Sequence, residues 1–146
     1  MQTRILIVDD EEEFCEALAE RLTIRDYDVT ESYSGQDAIE KVSHFNFDIV
    51  ILDVRMPGMD GIEVLKEIKR LKPLSEVIML TGNATVETAI EGMKLGAFDY
   101  LMKPCETEDL ISKIKGAYEK KRGHEERIRE ARVKEIISSP RTVLNK

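Results

Sequence analysis

Short apolar runs alternate along the chain with longer stretches whose apolar residues recur every three or four positions, the pattern of strand–helix units that feed a parallel sheet. Five such units can be counted, which makes the chain an α/β protein. The first apolar run, over 5–8, is followed by an acidic stretch, 9–13, that opens a helix with Phe14, Leu18 and Leu22 at four-residue spacing. Acids there suit the positive end of the helix dipole. Residues 27–32 alternate polar with apolar, as an edge strand does, and a helix over about 35–44 turns Ala38, Ile39 and Val42 inward. Residues 49–52 are continuously apolar, as expected of a central strand covered on both faces. Pro57-Gly58 and Asp60-Gly61 predict a turn before a helix that carries Ile62, Leu65, Ile68 and Leu71 and stops ahead of Pro73.

The fourth strand is expected over 77–80 and the fifth over 98–102. Between them a weaker helix, 84 to about 94, contains Gly92, which disfavours helix by roughly 1 kcal/mol relative to alanine and marks the element as a mobile one. Leu110, Ile111, Ile114 and Ala117 define the last domain helix. Gly123 then interrupts the register, and another helix is predicted over 125–137, ahead of Pro140, with an imperfect stripe of Ile128, Ala131, Val133, Ile136 and Ile137.

A chain of 146 residues has room for one well-buried domain and an accessory segment, so the expected division is a domain over 1–122 and a helical tail or linker over 123–146. With 42% hydrophobic and 35% charged residues, collagen-like, disordered and membrane-spanning classes are excluded as overall descriptions. The formal net charge of −7 argues against direct nucleic-acid binding, which needs clustered Lys and Arg. The charge is uneven: from Gly123 onward six basic residues face four glutamates, so the tail carries +2 and the rest −9. The apolar run at the N-terminus is too short for a signal-peptide core or membrane helix, so a cytoplasmic location without membrane attachment is expected. Cys15 and Cys105 lack CxxC spacing and read as free thiols. No helix-turn-helix or long basic run succeeds the fifth unit, so a DNA-binding domain is not expected in this sequence.

The chemistry lies in the residues just past each strand. Asp9 and Asp10 come after the first, Asp53 after the third, Thr81 after the fourth and Lys103 after the fifth. In an open parallel sheet the carboxyl ends share one edge, and ligands bind in the crevice outside it. Three carboxylates meeting there repel one another unless cations sit among them, and Lys103 with one divalent ion balances their charge. Carboxylates, a backbone carbonyl and water suit magnesium. One acid is then free to act as nucleophile toward a phosphoryl group, whose equatorial oxygens need a metal, a cationic side chain and a hydrogen-bond donor around them. Asp53, Lys103 and Thr81 supply those remaining parts.

The pieces ILIVDDE, VILDVRMPGMDG, VIMLTG and AFDYLMKP together resemble the receiver domain of bacterial two-component response regulators, over nearly all of 5–121. The resemblance implies a flavodoxin-like five-stranded parallel sheet of order 2-1-3-4-5 with five flanking helices, extended here by the helical tail. It implies Asp53 as phosphoacceptor, Asp10 as a direct Mg2+ ligand, Asp9 as a water-mediated or supporting one, and the Arg55 backbone carbonyl as the remaining protein ligand. Lys103 and Thr81 would stabilise the phosphoryl group, and Tyr100 would turn inward as Thr81 moves, remodelling the surface of the fourth helix, fifth strand and fifth helix. The Lys103-Pro104 bond is a candidate cis peptide. Arg55 and Asn83 fall where the family tunes dephosphorylation, Gly82 leaves little bulk beside Thr81, and Cys105 departs from the usual phenylalanine and is assigned a packing role.

The expected function is thus a stand-alone receiver, a phosphoacceptor switch rather than a turnover enzyme, which assists its own phosphorylation and dephosphorylation. Its partners would be a sensor histidine kinase or phosphotransfer protein and a downstream protein target. The tail is open to reading as a homodimerisation segment, a partner segment or a frayed linker. Two rivals come from other classes. A haloacid-dehalogenase-like phosphatase needs a second acid two residues after the nucleophile, where Arg55 stands, and a flavodoxin-like FMN protein needs a Ser/Thr/Gly-rich loop after the first strand. A third keeps the receiver but makes it a fragment of a transcription regulator lacking its output domain.

Overall fold

A computed structural model describes residues 2–56, 58, 60–82 and 85–138. Five strands, β1 (Arg4–Val8), β2 (Asp28–Ser32), β3 (Ile49–Leu52), β4 (Glu76–Thr81) and β5 (Asp99–Met102), pair in parallel in the order β2-β1-β3-β4-β5. The helices are α1 (Glu12–Ile24), α2 (Gly35–His44), α3 (Gly61–Leu71), α4 (Val86–Lys94) and α5 (Thr107–Ser138). This is the flavodoxin-like topology expected from the sequence, and the strands differ from expectation only by single residues at their ends.

The two-residue period of a strand explains why β1, β3 and β4 are apolar throughout. Leu6, Val8, Val50, Leu52, Val77 and Met79 point to one side, into a core closed by Ala38 and Val42 of α2 and Ile62, Leu65 and Ile68 of α3. Ile5, Ile7, Ile49, Ile51, Ile78 and Leu80 point to the other, against Cys15, Leu18 and Leu22 of α1 and Leu110, Ile111 and Ile114 of α5. The helix starts are built by short polar side chains: Ser34, Asp60 and Thr85 each accept a backbone N–H of the first turn.

Two expectations change. The predicted break at Gly123 is absent: α5 runs continuously to Ser138, and its side chains from 125 to 137 are exposed. A single glycine costs only about 1 kcal/mol in a helix, and here strong helix formers flank it while Lys121 reaches across it to Glu125 at 3.1 Å. Gly92 is not simply a weak point in α4. It is buried, and a Cβ there would sit 2.3 Å from the Met79 side chain, so its bareness lets α4 close on β4. The expected start of α4 at Ala84 lies outside the described residues. Among the described residues, no helix is long and apolar enough to cross a membrane.

Candidate functional site

The chemistry-bearing residues meet because backbone hydrogen bonds carry the strand ladders one step past the strand ends. The Asp9 N–H donates to the Ser32 carbonyl at 3.0 Å, the Asp53 N–H to Val8 at 2.9 Å and the Lys103 N–H to Thr81 at 3.0 Å. Asp9, Asp53, Thr81 and Lys103 are thereby fixed along one edge of the sheet. Behind Asp53 the chain is pinned again. The Gly61 N–H donates to the Val54 carbonyl at 3.1 Å, and a Cβ at Gly61 would lie 2.2 Å from the Val54 Cα, so only glycine admits this approach of the α3 start.

Asp9, Asp10 and Asp53 each bring a carboxylate oxygen within 4.8 Å of the others. Asp9 and Asp53 are buried, at 2% and 5% exposure, whereas Asp10 is exposed. One oxygen of each buried acid is held by the backbone two residues on: Asp9 Oδ1 accepts the Glu11 N–H at 2.9 Å, and Asp53 Oδ1 accepts the Arg55 N–H at 3.0 Å. The other oxygens face Lys103 Nζ, at 2.6 Å from Asp9 Oδ2 and 3.5 Å from Asp53 Oδ2.

Burial pushes the Asp9 carboxyl above its ordinary value, and the adjacent Asp53 charge pushes the same way, against the Lys103 and Glu11 hydrogen bonds that favour its ionised form. Burial by itself would pull the Lys103 ammonium down. The bond and charge of Asp9, with Asp53 and Glu11, outweigh that and hold it above its ordinary value. The site therefore has one lysine and an excess of carboxylate. Clustered hard oxygen donors of this kind fit a divalent cation such as Mg2+, with Asp9, Asp10 and Asp53 as the residues able to hold it.

Thr81, at the end of β4, is buried and tied through its carbonyl to Lys103. At Gly82 an added Cβ would meet nothing closer than the Lys103 Cβ at 4.0 Å, so the approach beside Thr81 is open. The Lys103-Pro104 peptide is cis. Tyr100 stands apart from the acids, 40% exposed on β5, where it lines a groove of about 380 Å3 with Val86, Ala89, Ile90, Met93 and Lys94. Arg55 is exposed and contributes its N–H to Asp53. Asn83 lies outside the described residues.

Two residues at the site are not singled out by the sequence. Glu11 Oε1 lies 3.3 Å from Lys103 Nζ, and the Phe14 ring centroid lies 4.1 Å from the same nitrogen. In the sequence Glu11 simply continues the Asp9-Asp10 pair among the acids that suit the dipole of α1, and Phe14 belongs to that helix's apolar stripe. That both face a lysine from the end of β5 is a matter of tertiary placement alone.

A family model described as response regulator receiver domain matches residues 5–115. The transcriptional regulatory protein ZraR of Salmonella typhimurium is 44% identical over 113 residues, which cover 77% of this chain and 26% of that one; this chain thus spans about a quarter of that relative's length. Among solved structures, a CheY-like response regulator receiver domain protein from Methanospirillum hungatei superposes with a TM-score of 0.82 at 30% identity, covering 85% of this chain and 99% of the other. A response regulator protein from Burkholderia pseudomallei, with a phosphorylated aspartic acid, calcium ion and citrate, gives 0.76 at 26% identity, covering 85% and 73%.

Proposed function

This chain belongs to the response regulator receiver domain family of two-component signalling, and from that premise we propose that Asp53 accepts a phosphoryl group from a phosphohistidine on a sensor kinase or phosphotransfer protein. The observation that carries the reading is the meeting of Asp9, Asp10 and Asp53 with Lys103 at one edge of the sheet. Asp9, Asp10, Asp53 and the Arg55 backbone carbonyl would hold Mg2+, which when bound offsets the charge of the acids and of the phosphoryl oxygens.

The protein's own groups supply the rest. Backbone N–H of Arg55 fixes Asp53 Oδ1, so Oδ2 is the oxygen presented to phosphorus. A P–O bond to Asp53 forms as the P–N bond of the donor breaks, and the imidazole nitrogen keeps that electron pair. The Lys103 ammonium, already 3.5 Å from Oδ2, neutralises charge gathering on the equatorial oxygens, and the Thr81 hydroxyl donates to another of them. Motion of Thr81 toward the phosphoryl group frees space for Tyr100 to turn in from the α4–β5 groove, which changes the surface of α4, β5 and α5 offered to a downstream protein. Hydrolysis by the same site limits the lifetime of the signal. The domain is a switch and not a turnover enzyme, and we assign it to the cytoplasm.

A second reading, in which this chain is the receiver portion of a transcription regulator, is favoured by the match to ZraR; the Asp53 chemistry is the same in both. The test is thermal unfolding with Mg2+ and beryllofluoride, a phosphoryl mimic. Wild type should be stabilised and Asp53→Asn should not respond, and an equal response from both refutes the assignment of Asp53.

A further inference from the structure

An ammonium carries three N–H donors, and at Lys103 three carboxylates are near enough to occupy them: Asp9 at 2.6 Å, Glu11 at 3.3 Å and Asp53 at 3.5 Å. The Phe14 ring, 4.1 Å away, covers the ammonium further. Phosphorylation at Asp53 Oδ2 hands the Asp53 contact to the phosphoryl group and brings three non-bridging oxygens, so the group gains a second ammonium donor only if Asp9 or Glu11 yields. The Asp9 bond is the shortest, and its side chain is 3% exposed. Glu11 is the contact free to yield, because its side chain is 65% exposed and its bond is the longer of the two. Glu11 precedes α1 without a side-chain capping bond, so no hydrogen bond to that helix ties its carboxylate down.

Building on the assignment of Asp53 as phosphoacceptor, we propose that Glu11 is a positioning residue that acts through Lys103: it shares the ammonium with Asp9 and Asp53 and competes with the phosphoryl group for it. The ammonium then has two positions, shared with Glu11 before phosphorylation and released to the phosphoryl oxygens after it. Removing the Glu11 charge therefore strengthens the site's hold on a phosphoryl group.

The experiment measures beryllofluoride affinity, with Mg2+, for wild type, Glu11→Gln, Lys103→Met and the double variant. Glu11→Gln should bind about three- to fivefold more tightly than wild type, the scale of one exposed ion pair. In the Lys103→Met background the same substitution should change nothing. In chelator, with no beryllofluoride present, Glu11→Gln should also speed the exchange of Lys103 Nζ protons with water, read in lysine-selective 15N spectra. Equal affinities for wild type and Glu11→Gln overturn the inference. So does a gain that persists without Lys103, since Glu11 would then merely repel the anion, and so does unchanged Nζ exchange. Failure of wild type itself to bind beryllofluoride overturns the assignment of Asp53 instead.

Discussion

Replacing Asp53 by asparagine should stabilise the metal-free protein, although it removes the proposed reactive group. The carboxylate oxygens of Asp9 and Asp53 lie within 4.8 Å, so at an effective dielectric constant of about 20 they repel by roughly 3.5 kcal/mol. Asp10 adds a smaller share, because it is exposed and screened by water. Lys103, 3.5 Å from Asp53, returns roughly 4.7 kcal/mol of attraction on the same scale. Repulsion and attraction thus nearly cancel, and desolvation decides the sign. Asp53 is only 5% exposed, and keeping a carboxylate out of water costs several kcal/mol, against about 1–3 for a neutral amide. The asparagine oxygen can still accept the Arg55 N–H. We expect a gain of about 2 kcal/mol, or roughly 6 °C in melting temperature for a chain of this size. The assay is thermal unfolding in chelator and again in Mg2+. At ten times the dissociation constant the ion should add about 1.4 kcal/mol to wild type, and less to a variant that has lost one ligand charge. If Asp53→Asn melts below wild type in chelator, the electrostatic account of the site is wrong.

Three further outcomes are expected from the same structure. Gly61→Ala should destabilise the fold by about 3 kcal/mol or more, because its Cβ would meet Val54 backbone that cannot give way, and urea unfolding measures this. Lys69→Met should cost about 3 kcal/mol in the same assay, because Lys69 caps the Pro73 and Ser75 carbonyls at 2.9 and 2.8 Å and neutralises the buried Glu76 at 3.9 Å. Burial first, and the Glu31 and Asp9 charges next, push the Cys15 thiol from 9.0 up to about 12. The folded state therefore keeps this proton where the unfolded chain loses it, so its contribution to stability is intact below pH 9.0 and declines toward about pH 12. Iodoacetamide at pH 8 should leave Cys15 unmodified until the protein is unfolded, and fast labelling of the native protein counts against this burial.

The succession of strands along the chain and the residues at their ends are legible in the sequence because each rests on a local signal, whereas their order in the sheet is implied only by the receiver resemblance. Residues 49–52 are apolar on both faces, Asp9, Asp53 and Thr81 each come directly after such a run, and Lys103 comes directly after the partly exposed fifth strand. The features that escape depend on distant contacts. Glu76 begins β4 and is buried although charged, because Lys69 and Lys120 approach it from α3 and α5; a period-based reading starts that strand one residue later. Glu11 and Phe14 belong to the Lys103 environment only through the pairing of β1, β3, β4 and β5. The unbroken course of α5 past Gly123 is set by neighbours strong enough to override one weak helix former.

The central claim, that Asp53 takes the phosphoryl group, is tested most directly by mass spectrometry of the intact protein after incubation with acetyl phosphate and Mg2+. Wild type should gain one phosphoryl group, peptide mapping should put it on Asp53, and both chelator and Asp53→Asn should abolish the gain. A wild-type protein that gains nothing, or an Asp53→Asn protein that gains as much as wild type, contradicts the account.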